Sequence, residues 1–173
     1  MASTLRDEIS RLELLHAAHP DGLVFPHLAD AYRRAGRFTQ AENLLHAGLR
    51  RHAEYSSAHV VLGRLRLDQG KRQEAEESFR RVLQLDPQNQ VALEYLGEIA
   101  AAQGRLGDAV TLFRRLARFK TDDQLAARVE ALEARIPAAD GASAAPANGH
   151  AGHGVSSIPA NGGNGGHRGR APS

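Results

Sequence analysis

Three stretches of this chain repeat one pattern every 34 residues, starting at Gly22, Ser56 and Gln90. Positions seven and eight read Leu28-Ala29, Leu62-Gly63 and Leu96-Gly97. Position 15 is Gly36, Gly70 and Gly104, position 20 is Ala41, Ala75 and Ala109, and position 24 is Leu45, Phe79 and Phe113. A fixed period of this length constrains the fold more than composition does. A unit too short to bury its own apolar face must stack on its neighbours.

Helical spacing inside each unit predicts two helices, over 23–35 and 38–52, 56–69 and 72–85, and 90–103 and 106–119. The glycines at position 15 predict a tight turn in left-handed backbone between them. Small residues at positions 8 and 20 predict the closest helix crossing, with Ala29, Gly63 and Gly97 facing Ala41, Ala75 and Ala109. Proline stands at position 32 only as Pro87; Ala53 and Thr121 replace it elsewhere.

Around the repeats, Thr4 is read as the cap of a first helix carrying Leu5, Ile9, Leu12 and Leu15, which stops at His19-Pro20-Asp21-Gly22. Residues 1–21 are therefore expected to pack on the first repeat, 22–55, ahead of the repeats at 56–89 and 90–123. Leu125, Val129, Leu132 and Ile136 line one face of a last helix over 124–136, the cap that a stacked array needs. Residues 137–173 are mostly Ala, Gly, Pro, Asn, Ser and His, with Val155 and Ile158 as the sizeable apolar exceptions. Such a segment is expected to be a disordered tail.

Composition removes several chemistries. There is no cysteine, so no disulfide, thiolate metal site or thiol nucleophile. Lys+Arg 22 against Asp+Glu 20 leaves a net charge of +2, too weak a field to draw in nucleic acid. Asp7 and Glu8 interrupt the start, and no stretch approaches the roughly 18 apolar residues of a membrane span. A cytoplasmic location without a transmembrane segment is expected. No nucleophile elbow, phosphate loop or paired carboxylate motif is present, and the glycine-rich run from Gly162 to Gly169 has neither strand nor helix to frame it. The chain is not expected to be an enzyme, and no cofactor or metal is expected. His16 with His19, and His150 with His153, share a spacing of three, but no ligand set converges around them. Arg114, Arg115, Arg118 and Lys120 read as a solvated face near a helix C-terminus, where cations suit the dipole.

The period and its Leu, Gly, Ala and Phe positions resemble the tetratricopeptide repeat over about Thr4 to Ile136. The resemblance implies an all-α solenoid of helical hairpins, a right-handed superhelix, with a concave face lined by the first helix of each unit. It also implies that this face receives a peptide or helix of a partner protein. Matched residue by residue, the lining is Leu23, Pro26, Asp30, Arg33 and Arg34, then Ser57, Val60, Arg64, Leu67 and Asp68, then Val91, Glu94, Glu98, Ala101 and Ala102. Tyr95 stands near the groove edge. The implied groove is basic toward the first two repeats and acidic toward the third, with Val60, Leu67 and Val91 as apolar anchors. One branch of the family clamps chaperone C-terminal carboxylates with cationic side chains; the matching places here are Pro26, Asp30, Val61, Val91 and Tyr95, none of them a cation. The expected function is an adaptor or scaffold. The alternatives are a small chaperone of a bacterial secretion substrate and a self-associating structural subunit.

Overall fold

The computed structural model describes residues 2–120 and 122–137, so beyond Pro137 the expected tail lies outside the described residues. The described residues form eight helices and no strand: α1 (Ala2–Ala18), α2 (Phe25–Arg34), α3 (Phe38–Arg51), α4 (Ser56–Asp68), α5 (Arg72–Leu85), α6 (Gln90–Ala102), α7 (Leu106–Ala117) and α8 (Asp123–Glu133). Consecutive helices pair as α2 with α3, α4 with α5 and α6 with α7; α1 packs on α2, and α8 on α7.

One turn is built three times. Gly36, Gly70 and Gly104 have φ of 72°, 76° and 76°, a conformation in which a Cβ would be strained. In each case the next residue's N–H reaches back across the turn. Arg37 N donates to Tyr32 O at 2.8 Å, Lys71 N to Arg66 O at 2.8 Å and Arg105 N to Ala100 O at 2.9 Å. This closure satisfies carbonyls that a helix end would otherwise leave bare, and it sends the chain straight into the second helix.

The small residue at position 8 has a different reason from the expected one. A Cβ on Gly63 would lie 2.7 Å from the Phe79 ring, and one on Gly97 2.6 Å from the Phe113 ring. The nearest neighbour across each hairpin is thus the aromatic at position 24, not the alanine at position 20. In the first hairpin Leu45 holds position 24, and the ring comes instead from Phe25, which lies against Gly48. Phe25, Phe79 and Phe113 are all fully buried, one large ring per hairpin. Leu83 and Leu112 touch both the core around Phe79 and the core around Phe113, so the apolar interior runs on from one hairpin to the next.

Polar latches accompany this stacking. Glu76 on α5 is only 7% exposed and accepts from Arg105 and Arg80, each at 2.6 Å, and from Gln103 at 3.3 Å. One period earlier Glu42 meets Gln69 at 3.5 Å and Lys71 at 4.0 Å. Both glutamine contacts span 27 residues. The corresponding place in α7 is Val110, which is buried, and there the array meets α8.

Three boundaries differ from the sequence expectation. Thr4 lies inside α1, which begins at Ala2, so it is not the cap. Helix α2 begins at Phe25 because Pro26 suits the first turn, and Leu23 therefore precedes the helix. Helix α8 ends at Glu133, leaving Ile136 beyond it and 39% exposed; Leu125, Val129 and Leu132 alone form the buried stripe.

Candidate interaction surface

The first helices of the three hairpins share one face. Pro26, Asp30, Ser57, Val60, Arg64 and Val91, from α2, α4 and α6, line a depression of about 290 Å³ together with His27, Val61 and Asn89. A second depression of about 190 Å³ lies further along, lined by Leu67, Arg72, Tyr95, Glu98, Ile99 and Ala102. Glu94 faces a third, also about 190 Å³, at the junction with α8.

The apolar residues of this face are not free-standing. Pro26 is fully buried and forms a floor, while Val60, Leu67 and Val91 are half-buried. Val60, Leu67 and Tyr95 pack from the side on the core around Phe79. The Tyr95 and Phe79 rings stack at 4.8 Å with 3° between their planes, which holds Tyr95 rigidly at the surface. Leu23 is 49% exposed and lines none of these depressions.

Charge on the face is also arranged differently from the expectation of a basic first half. Arg33 donates to Asp30 at 3.0 Å and to Asp68 at 2.6 Å. Arg34 donates to Glu8 of α1 at 2.6 Å and to Asp30 at 3.2 Å. Burial works against the Arg33 charge, but hydrogen bonding and attraction from Asp68 and Asp30 outweigh it, and its pKa is raised. The Glu8 hydrogen bond likewise raises that of Arg34. These two arginines tie α1, α2 and α4 together, and their charge is already answered. Glu98 is paired too, with Arg128 of α8 at 3.2 Å. Arg64 differs from them. Among the described residues no carboxylate pairs with it, and its Nε is buried without a hydrogen-bond partner. Its guanidinium lies 5.5 Å from the Tyr95 ring centroid, within cation–π range.

His27 and Asn89 were missed from sequence. Asn89 carried a signal, since it precedes an apolar helix and caps it: its Oδ1 accepts from Ala92 N at 3.1 Å. His27 carried none beyond its place next to Pro26.

Mainly on the second helices, Leu83 of α5 and Asp108, Thr111 and Leu112 of α7, with Leu96 of α6 and Arg105 of the turn before α7, help to line another depression of about 290 Å³. Size does not separate the two faces, but polar bookkeeping does. Glu76, Arg80, Arg105 and Asp108 pair among themselves there. Three of the four cations at the end of α7 and just beyond it have partners within the chain: Arg114 meets Glu133 at 2.8 Å, Arg115 donates to Pro87 O at 2.8 Å, and Lys120 meets Asp122 at 3.1 Å. Among the described residues no three His, Asp or Glu side chains converge on a metal-sized site, and no helix is long and apolar enough to cross a membrane.

The sequence profile of the tetratricopeptide repeat matches residues 28–89 and 60–124. No curated protein matches the chain significantly. Among solved structures, a thermophilic tetratricopeptide repeat protein of Thermus thermophilus superposes with a TM-score of 0.66 at 22% identity, over 77% of this chain and 75% of that one. A protein named MamA superposes with a TM-score of 0.56 at 17% identity, over 68% of this chain and 64% of that one. A second MamA structure gives 0.56 at 18% identity, over 65% and 67%. At these identities the likeness concerns the fold.

Proposed function

Because this chain belongs to the tetratricopeptide repeat family, whose fold mediates protein–protein interaction, we propose that it is a non-catalytic adaptor or scaffold that holds a segment of a partner protein on the face of α2, α4 and α6. The observation that carries the reading is the depression those three helices share, with Val60, Val61 and Val91 above a Pro26 floor. Affinity is assigned to these apolar side chains and to Leu67 and Tyr95, because buried apolar and aromatic anchors dominate binding energy. Asp30, Arg33 and Arg34 are assigned to shaping the wall, since their charges are committed to one another and to α1 and α4. Glu94 stands at the acidic end, where the charge of Glu98 is already answered by Arg128. A cytoplasmic setting belongs to the same proposal.

Ser57 is exposed and lines the depression, so Ser57→Trp fills it without entering the core. Thr111→Trp fills the depression on the second helices and serves as the control. Tagged full-length protein and both variants are used to recover partners, which are quantified by mass spectrometry. The expected outcome is that the partners of the parent protein are lost with Ser57→Trp and kept with Thr111→Trp. The opposite pattern moves the interaction to the second-helix face and rejects the reading.

A self-associating role is favoured by one observation. Leu14 and Leu15 of α1 are 73% and 44% exposed, a large apolar display for a helix at the end of an array. Mass in solution by light scattering separates this reading from the first.

A further inference from the structure

We infer that the partner segment carries an acidic side chain, aspartate or glutamate, set between two apolar residues, and that Arg64 receives it. The inference rests on the groove reading above and adds the chemistry of the occupant.

Three observations lead to it. On the first helices, Arg64 has no carboxylate partner among the described residues, whereas Arg33 and Arg34 are each held by two. Its Nε is shielded from water and lacks a hydrogen-bond partner, so its charge is poorly solvated from within, and a carboxylate meeting the outer guanidinium nitrogens would offset that. Its guanidinium is also held in place, packed over Tyr95, which in turn is stacked on the buried Phe79. A cation positioned in advance loses little freedom on binding.

The fold places apolar anchors on both sides of this cation. Val60 stands one turn before Arg64 on α4 and opens into the larger depression; Leu67 stands one turn after it and opens into the smaller. The two anchors are about 10 Å apart along the helix. An occupant that fills both depressions must continue in both directions past Arg64. A chain terminus cannot do so, which assigns the carboxylate to a side chain and not to a C-terminus. A phosphate group carries close to two negative charges and calls for more than one free cation. Arg64 is the one arginine lining the larger depression, whose lining also holds the Asp30 carboxylate, and Arg72 lines only the smaller one, so a single negative charge is the better match at Arg64.

The test is a phage-displayed library of random 12-residue peptides selected against the full-length protein, followed by affinity measurement of the winning peptides. The expected result is enrichment of peptides with Asp or Glu flanked on both sides by apolar residues. Their affinity should fall by about tenfold or more with Arg64→Gln, the scale of a lost charge-assisted hydrogen bond. It should return when Arg64→Glu is paired with a peptide whose acid is replaced by lysine. Peptides blocked by Ser57→Trp but indifferent to Arg64→Gln overturn the inference and leave the groove reading standing. Peptides indifferent to both changes, or no enrichment at all, overturn the groove reading and this inference with it. Tighter binding when phosphoserine replaces the peptide's acid overturns the assignment to a carboxylate.

Discussion

At the scale of single residues, a side chain's job in this protein is set by what meets it across the helix pair. Tyr32 illustrates this. Its hydroxyl donates to Glu13 of α1 at 2.8 Å, and Arg37 lies 5.7 Å from its ring centroid. Burial, then the hydrogen bond and negative charge of Glu13, raise the Tyr32 pKa above its ordinary value. A raised folded-state pKa contributes stability that is fully present below the unfolded value, about 10 for tyrosine, and lost as pH rises through the folded one. The native chain should therefore lose stability above about pH 10. Tyr32→Phe should flatten that alkaline decline while costing some stability at neutral pH. Urea denaturation across pH 8 to 11 measures both; an unchanged alkaline slope in the variant removes Tyr32 as its source.

Each hairpin is fitted around one ring and one glycine gap. Phe79 needs Gly63 opposite it, and Phe113 needs Gly97, because the rings are buried at the crossing of two helices and leave no room for a Cβ. Gly63→Ala should destabilise the chain by about 1–3 kcal/mol, the usual cost of overpacking a fitted core. Gly107→Ala is the matched control: it lies in the first turn of α7, and nothing comes within 4 Å of its added Cβ. There the alanine should be neutral, or stabilising by up to about 1 kcal/mol through helix propensity. Thermal melts followed by circular dichroism compare the two. If both alanines behaved alike, the ring at position 24 would not be what excludes a side chain from position 8.

At the scale of the whole molecule, the hairpins are coupled by shared apolar contacts and by the latches of Glu42 and Glu76. A stacked array is as cooperative as the interfaces between its units. Glu76 is buried and bonded to Arg105 and Gln103 of the next hairpin, so Glu76→Ala removes charge-assisted bonds that join two units. The expected cost is about 1–3 kcal/mol, with a broader melting transition. Combining it with Arg105→Ala should add less than the two single losses, because the changes share one interaction. Strict additivity would mean that the latch carries no coupling.

Much of this was legible in sequence because it is local and periodic. The glycines at position 15 announce left-handed turns, since other residues are strained there, and the helical spacing of Leu, Ala and Phe announces the paired helices. The family resemblance likewise brought the first helices of the units onto one face. What the sequence left open depended on partners distant along the chain. Small size alone pairs Gly63 with Ala75, yet the large Phe79 is what requires the space. Arg33, Arg34 and Arg64 look alike as letters on one face. Only the approach of Asp68 from α4 and Glu8 from α1 separates two committed arginines from one that is not, because a short-range ion pair is decided by which helix arrives beside it and in what rotation. Sequence by itself determined the units and their turns; tertiary structure decided which charges remain available, since that depends on distances no repeat pattern encodes.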